Sequence, residues 1–109
     1  MKIKTENAGP AALVHFSGAA DVASVEAIRK ELASAMESAG NRVVCDLSGV
    51  NFICSDALGA FIGAYRRACE GGGYVRILKP QKRVADILKT TQLDRLFRVY
   101  QDLEGATAD

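Results

Sequence analysis

The spacing of apolar residues changes several times along the chain, and each change marks an element. The opening MKIKTEN alternates Met1 and Ile3 with Lys2 and Lys4, as a half-exposed strand does, and NAGPA then supplies Gly9 and Pro10 for a turn. AALVHFSG follows as a more fully apolar strand. From Asp21 the spacing becomes helical. Val22, Val25, Ile28, Leu32 and Met36 form one stripe, Glu26, Arg29, Lys30 and Glu31 lie off it, and Gly40 ends the segment. In NRVVCDLSGV, residues Val43, Val44, Cys45 and Leu47 make a nearly continuous apolar run, the pattern of a strand covered on both faces. Helical spacing resumes at Ser55 through Leu58, Phe61, Ile62, Tyr65 and Cys69, until Glu70 to Gly73 stop it. YVRILKP is a short strand ended by Pro80. KRVADILKTTQLDRLFRVY carries a final helix through Val84, Ile87 and Leu88, with a last strand near Arg98 to Gln101. Strands alternating with helices predict an α/β layer with helices covering at least one face. There is no internal repeat, linker or low-complexity segment.

Length and charge narrow the function classes. The 109 residues suffice for one core and make a single domain, 1–109. Fourteen Lys+Arg against 13 Asp+Glu give a net charge of +1, with no run of like charge that would track nucleic acid or a membrane surface. The longest apolar stretch, Ala57 to Tyr65, falls far short of the roughly 20 residues of a spanning helix. The first lysines are followed by no apolar region of a signal peptide. A soluble, cytoplasmic protein without membrane insertion is therefore expected. The 3 cysteines, Cys45, Cys54 and Cys69, are odd in number and lack C-x-x-C spacing, so they read as reduced, mostly buried thiols rather than a disulfide framework or a metal site.

One stretch carries candidate chemistry. In NFICSDALGAFIGAY, Ser55 and Asp56 interrupt an apolar passage at a strand-to-helix junction, at the carboxyl end of the strand, where open α/β sheets place their sites. The first N–H groups of a helix lack partners within it and the helix dipole favours negative charge, so a phosphate on Ser55 would be accommodated. The plainer account is that serine and aspartate cap helix starts, for about 1 kcal/mol. A nucleophilic role for Ser55, with His15 as base and Asp21 as orienting group, finds little support, because CSDAL lacks the G-x-S-x-G elbow. Gly71 to Gly73 follow a helix and precede no Lys-Ser/Thr pair, so they read as a turn and not a phosphate loop. No nucleotide or other cofactor motif is visible.

FSGAADVASVEAIRKEL, VVCDLSGVNFICSDALGAFIGAYRRA and VRILKPQKRVADILKTTQLDRLF together resemble, in order and spacing, the STAS domain of bacterial anti-sigma factor antagonists. The resemblance covers almost the whole chain. It implies a STAS-like α/β fold: a small mixed sheet of about four or five strands with helices mainly on one face. It also implies a non-enzymatic binding module that engages an anti-sigma factor serine kinase, is phosphorylated by it, and is restored by a PP2C-type phosphatase. The family's phosphorylated serine corresponds to Ser55, and its Gly-x-Leu-Asp element to Gly18 through Asp21, with Ala20 at the apolar position. Asp21, Cys54, Asp56 and Ala57 would then shape the partner-binding surface, together with the exposed side of the helix from Asp56 to Cys69. Cys54 stands where the family usually has aspartate, Asp56 where it has a second serine and Ala57 where it has glycine. An alternative within the same family is an unphosphorylated scaffold subunit of a lipid-transport or sensory complex, in which Asp56 and Cys54 reflect abandoned phosphorylation.

Overall fold

In the computed structural model, which describes residues 1–108, strand β1 (Lys2–Ala8) turns back into β2 (Ala11–Ala20), the two pairing antiparallel from Lys2 opposite Ser17 to Ala8 opposite Ala11. A short 3-10 turn, Val22–Ser24, leads into α1 (Val25–Ser38), and β3 (Arg42–Ile53) then lies parallel to β2. Helix α2 (Ser55–Glu70) leads to β4 (Tyr74–Leu78), parallel to β3. After α3 (Lys82–Thr90) and α4 (Leu93–Phe97), β5 (Val99–Tyr100) adds a two-residue edge parallel to β4, and α5 (Leu103–Thr107) closes the described chain. The sheet order is β1-β2-β3-β4-β5. Each parallel connection advances one strand in the same direction, and right-handed crossovers then put their helices on the same side.

That side holds the main core. Ala12, Val14, Phe16, Val43, Cys45, Leu47, Val75 and Ile77 from the sheet meet Ile28, Leu32, Met36, Phe61, Val84, Leu88 and Phe97 from the helices. Phe16 and Phe61 pack edge to face with ring centroids 5.3 Å apart, and Tyr65 and Phe97 do so at 5.8 Å. The opposite face has a smaller cluster, Ala11, Leu13, Val44 and Leu78, capped by Ala106 of α5. Arg76 fastens that cap: its guanidinium donates to the Ala106 and Ala108 carbonyls at 3.0 and 2.6 Å and lies 3.7 Å from the Tyr74 ring centre.

The sheet and helices follow the expected alternation, with four differences of detail. The helix expected through KRVADILKTTQLDRLF is two helices, because Thr91 turns its hydroxyl back onto the Ile87 carbonyl at 2.8 Å and Gln92 adopts a left-handed backbone, φ +62°. Helix α5, five residues long, is too short to show a period in sequence and is held by Asp102 accepting the Gly105 N–H at 2.6 Å. On α2 the buried line runs through Ala57, Ala60, Phe61, Ala64 and Ala68, while Leu58, Ile62 and Tyr65 are half-buried and Cys69 is exposed. Alanines let the helix lie close to the sheet, and the larger side chains fill the margins. The cysteines are therefore not mostly buried: Cys45 is, Cys54 is half-buried and Cys69 is exposed, all three as free thiols. Burial pushes the Cys45 thiol far up, which keeps it unreactive. No described helix is long and apolar enough to cross a membrane.

Candidate functional site

The carboxyl ends of β2 and β3 build the site. Pairing between these strands shifts register between His15 and Ser17 and again between Gly18 and Ala19, bending the strand ends. Glycines permit both irregularities. Gly18 has φ +102°, a conformation other residues rarely adopt, and a Cβ on Gly49 would fall 2.7 Å from the Ser17 Cβ. The strands then close side by side: Ala20 is paired with Ile53, and the Cys54 N–H donates to the Ala20 carbonyl at 2.9 Å. The next residue on each strand is Asp21 on one side and Ser55 on the other, so this one bond brings the two expected site residues to the same end of the sheet.

Ser55 is the first helical residue of α2, and Cys54, in extended conformation, is its N-cap. This corrects the expectation that Ser55 and Asp56 cap the helix. Neither they nor Cys54 supplies a side-chain cap, and the Cys54 carbonyl accepts the Leu58 N–H at 3.0 Å as the first intrahelical bond. Ser55 and Asp56 are exposed, and Cys54 packs its half-buried side chain against the main core. Ala57, expected on the partner-binding surface, is 0% exposed and lies beneath it. A residue that points inward at the first turn sets how closely α2 seats on the sheet.

Asp21 is exposed and held in place locally. Its carbonyl accepts the Ser24 N–H and its carboxylate Oδ1 accepts the Ser24 hydroxyl, both at 3.0 Å. Ser24, itself buried, is the positioning residue that sequence reasoning missed, although the Asp-x-x-Ser spacing carried the signal. Two apolar side chains stand open here as well: Val22, 67% exposed, follows Asp21, and Phe52, 45% exposed, precedes Ser55 by three residues. Val22 was expected on the buried stripe of α1; it sits instead in the 3-10 turn, off the helical register. Exposed apolar groups beside exposed carboxylates suit a protein contact more than a small-molecule cleft.

The catalytic alternative does not assemble. His15 lies in the middle of β2 with both ring nitrogens engaged, Nδ1 to Asp46 at 2.7 Å and Nε2 to Glu6 at 2.8 Å, and no hydrogen bond joins it to Ser55 or Asp21 among the described residues. No group of His, Cys, Asp and Glu among the described residues has metal-binding geometry.

The STAS domain model matches residues 2–106. The chain belongs to the STAS domain family. Among curated STAS relatives it is 30% identical over 66 residues to a Thermotoga neapolitana homologue of TM1081, an alignment that spans 61% of this chain and 58% of that protein. It is 25% identical over 92 residues to the anti-sigma-B factor antagonist of Bacillus subtilis, spanning 84% of each. The fold is that of the anti-sigma factor antagonist SpoIIAA in its unphosphorylated form, with a TM-score of 0.80 over 95% of this chain and 92% of that one at 19% identity. The phosphorylated form of the Bacillus cell fate determinant SpoIIAA superposes with a TM-score of 0.73 over 95% of this chain and 96% of that one at 18% identity.

Proposed function

We propose that this STAS domain is an anti-sigma factor antagonist that binds an anti-sigma factor serine kinase and is released from it by phosphorylation of Ser55. The observation that carries the reading is the placement of Ser55, an exposed hydroxyl at the first position of a 16-residue helix with no side-chain cap, one residue beyond the bond that draws in Asp21. Phosphorylation adds about −1.5 to −2 charge and three acceptor oxygens. Free N–H groups and the helix dipole stabilise that charge in the isolated protein, so the fold survives modification. At a surface already carrying Asp21 and Asp56 beside Val22 and Phe52, the same charge repels an acidic partner edge and costs desolvation against an apolar one. The ATP belongs to the kinase, and a PP2C-type phosphatase reverses the step. The relatives named as antagonists and the solution of SpoIIAA in both phosphorylation states support this reading. Incubation with the cognate anti-sigma kinase and ATP, followed by mass-spectrometric mapping, tests it: phosphate on Ser55 is expected, and its absence there overturns the switch.

Asp56 favours one other reading. An exposed carboxylate fixed in the first turn of α2 supplies negative charge without modification, which suits a scaffold subunit of a lipid-transport or sensory complex. Pull-down from native lysate separates the two, since recovery of transporter subunits without a kinase supports the scaffold.

A further inference from the structure

His15 poses a problem of hydrogen-bond stoichiometry. A neutral imidazole has one N–H, yet both nitrogens face carboxylate oxygens, Asp46 Oδ2 at 2.7 Å and Glu6 Oε2 at 2.8 Å. Two ionised acceptors require two donors, so the arrangement is complete only when the ring is an imidazolium. The three residues come from three adjacent strands: Glu6 from the edge strand β1, His15 from β2 and Asp46 from β3. They lie on the face opposite α1 and α2, since on β1 Ile3 packs into the helix-side core while Ala8, of the same parity as Glu6, joins the opposite cluster.

Beyond its backbone ladder with β2, strand β1 has few side-chain anchors. It is the edge of the sheet, and five of its seven side chains lie outside both cores; Ile3 packs against the helix side and Ala8 against the opposite cluster. The carboxylate on the inner side is itself braced: Asp46 Oδ1 accepts the Ser48 N–H at 2.9 Å, and the Ser48 carbonyl accepts Gln81 Nε2 at 2.8 Å from the start of α3. We infer that Glu6, His15 and Asp46 form a proton-dependent clamp that holds the edge strand β1 to the sheet while the ring carries its second proton and loosens it when that proton leaves.

Of the surrounding charges, the two lysines of β1 oppose the imidazolium and the two carboxylates favour it. On β1, Lys2 and Lys4 share the face with Glu6, and Lys4 is paired directly across from His15. On β3 Asp46 faces the ring, and on β4 Arg76 is already committed to the α5 carbonyls. Burial disfavours the charged ring, but the hydrogen bonds and charges of Asp46 and Glu6 outweigh it and hold the His15 pKa above its ordinary 6.5. A raised histidine contributes stability that is complete below 6.5 and is lost as pH climbs through the folded value. Loss of the proton leaves one carboxylate without a donor. Glu6, the more exposed of the two, is the one released, because Asp46 keeps its bond from Ser48.

His15 is the only histidine in the chain, so its ring signals in a proton–carbon NMR titration need no assignment. The expected result is a pKa above 6.5, a fall on Glu6→Gln and a larger fall on Asp46→Asn. Hydrogen-exchange protection of the β1 amides, corrected for intrinsic exchange, should drop several-fold as pH passes that value, while β3 and β4 protection stays level. In Glu6→Gln, and in His15→Gln as a second variant, the pH step in β1 should vanish. A ring titrating at or below 6.5, or β1 protection flat between about pH 6 and 8.5 in the unmodified protein, overturns the clamp.

Discussion

The two faces of the sheet are stabilised by different physics. On the helix side, Phe16, Val14, Val43, Leu47 and Ile77 are buried under four helices, and stability there scales with apolar area, which has no direction and no titration. On the other side a small apolar cluster sits under one short helix, and the rest is held by directed polar contacts: Arg76 onto the α5 carbonyls, and His15 between two carboxylates. A single STAS domain thus has one face indifferent to pH and one tuned by it. The site lies at the carboxyl ends of β2 and β3, on bent strand ends that contain Gly18 and Gly49.

Substitutions test the contrast most strongly on the helix side. Phe16→Ala removes a fully buried ring and its edge-to-face partner Phe61, and should cost about 3–5 kcal/mol in denaturant unfolding, with no dependence on pH. Arg76→Ala should cost less, roughly 1–3 kcal/mol, by releasing the α5 carbonyls, and should raise amide exchange in α5 before any change appears in α1 or α2. An equal loss of protection in all helices would show that the two faces melt as one.

Two exposed glycines should move stability the other way. A Cβ at Gly59 or Gly63 meets nothing within 4 Å, so Gly59→Ala or Gly63→Ala should stabilise α2 by about 1 kcal/mol each, read as a higher denaturation midpoint. The pH dependence of unfolding should be smaller than these and confined to the polar face. Burial pushes the Asp46 carboxyl up, but its bonds from Ser48 and His15 outweigh this and hold it below its ordinary 3.8, so its contribution is present above that value and fails as pH falls through the lowered one. With His15 fading above 6.5, stability should be greatest between these limits, and His15→Gln should flatten the alkaline shoulder alone. At the site, Ser55→Ala and Ser55→Glu should each shift stability by under about 0.5 kcal/mol, since the side chain is exposed. Their difference should appear in binding to the anti-sigma kinase, kept by Ser55→Ala and weakened by Ser55→Glu. Equal binding by both would remove charge at Ser55 as the control.

Much of this was legible in the chain. The alternation of MKIKTEN, the apolar run of VVCDL and the helical spacing after Asp21 and Ser55 each produced the expected element, because a strand of period two and a helix of period 3.6 bury different subsets of residues. Ser55 at a helix start was legible for the same reason. Burial of particular side chains was less so. Val22 and Cys69 matched a helical stripe and are exposed, whereas Ala57, Ala60, Ala64 and Ala68 are buried, since periodicity gives a direction around a helix and not the distance to its neighbour. Helix α5 and the break at Gln92 rest on a few side-chain hydrogen bonds, which leave no periodic trace.

Local patterning, then, determined the order of elements, their amphipathic faces and the serine at the head of α2, because these depend on neighbours three or four residues away. Which residues meet across the sheet was decided only by the tertiary structure. Ser55 and Asp21 are drawn together by one backbone bond between Cys54 and Ala20, and His15 is separated from both by its ties to Glu6 and Asp46. Strand register made those choices, and register is set by pairing between segments some thirty residues apart.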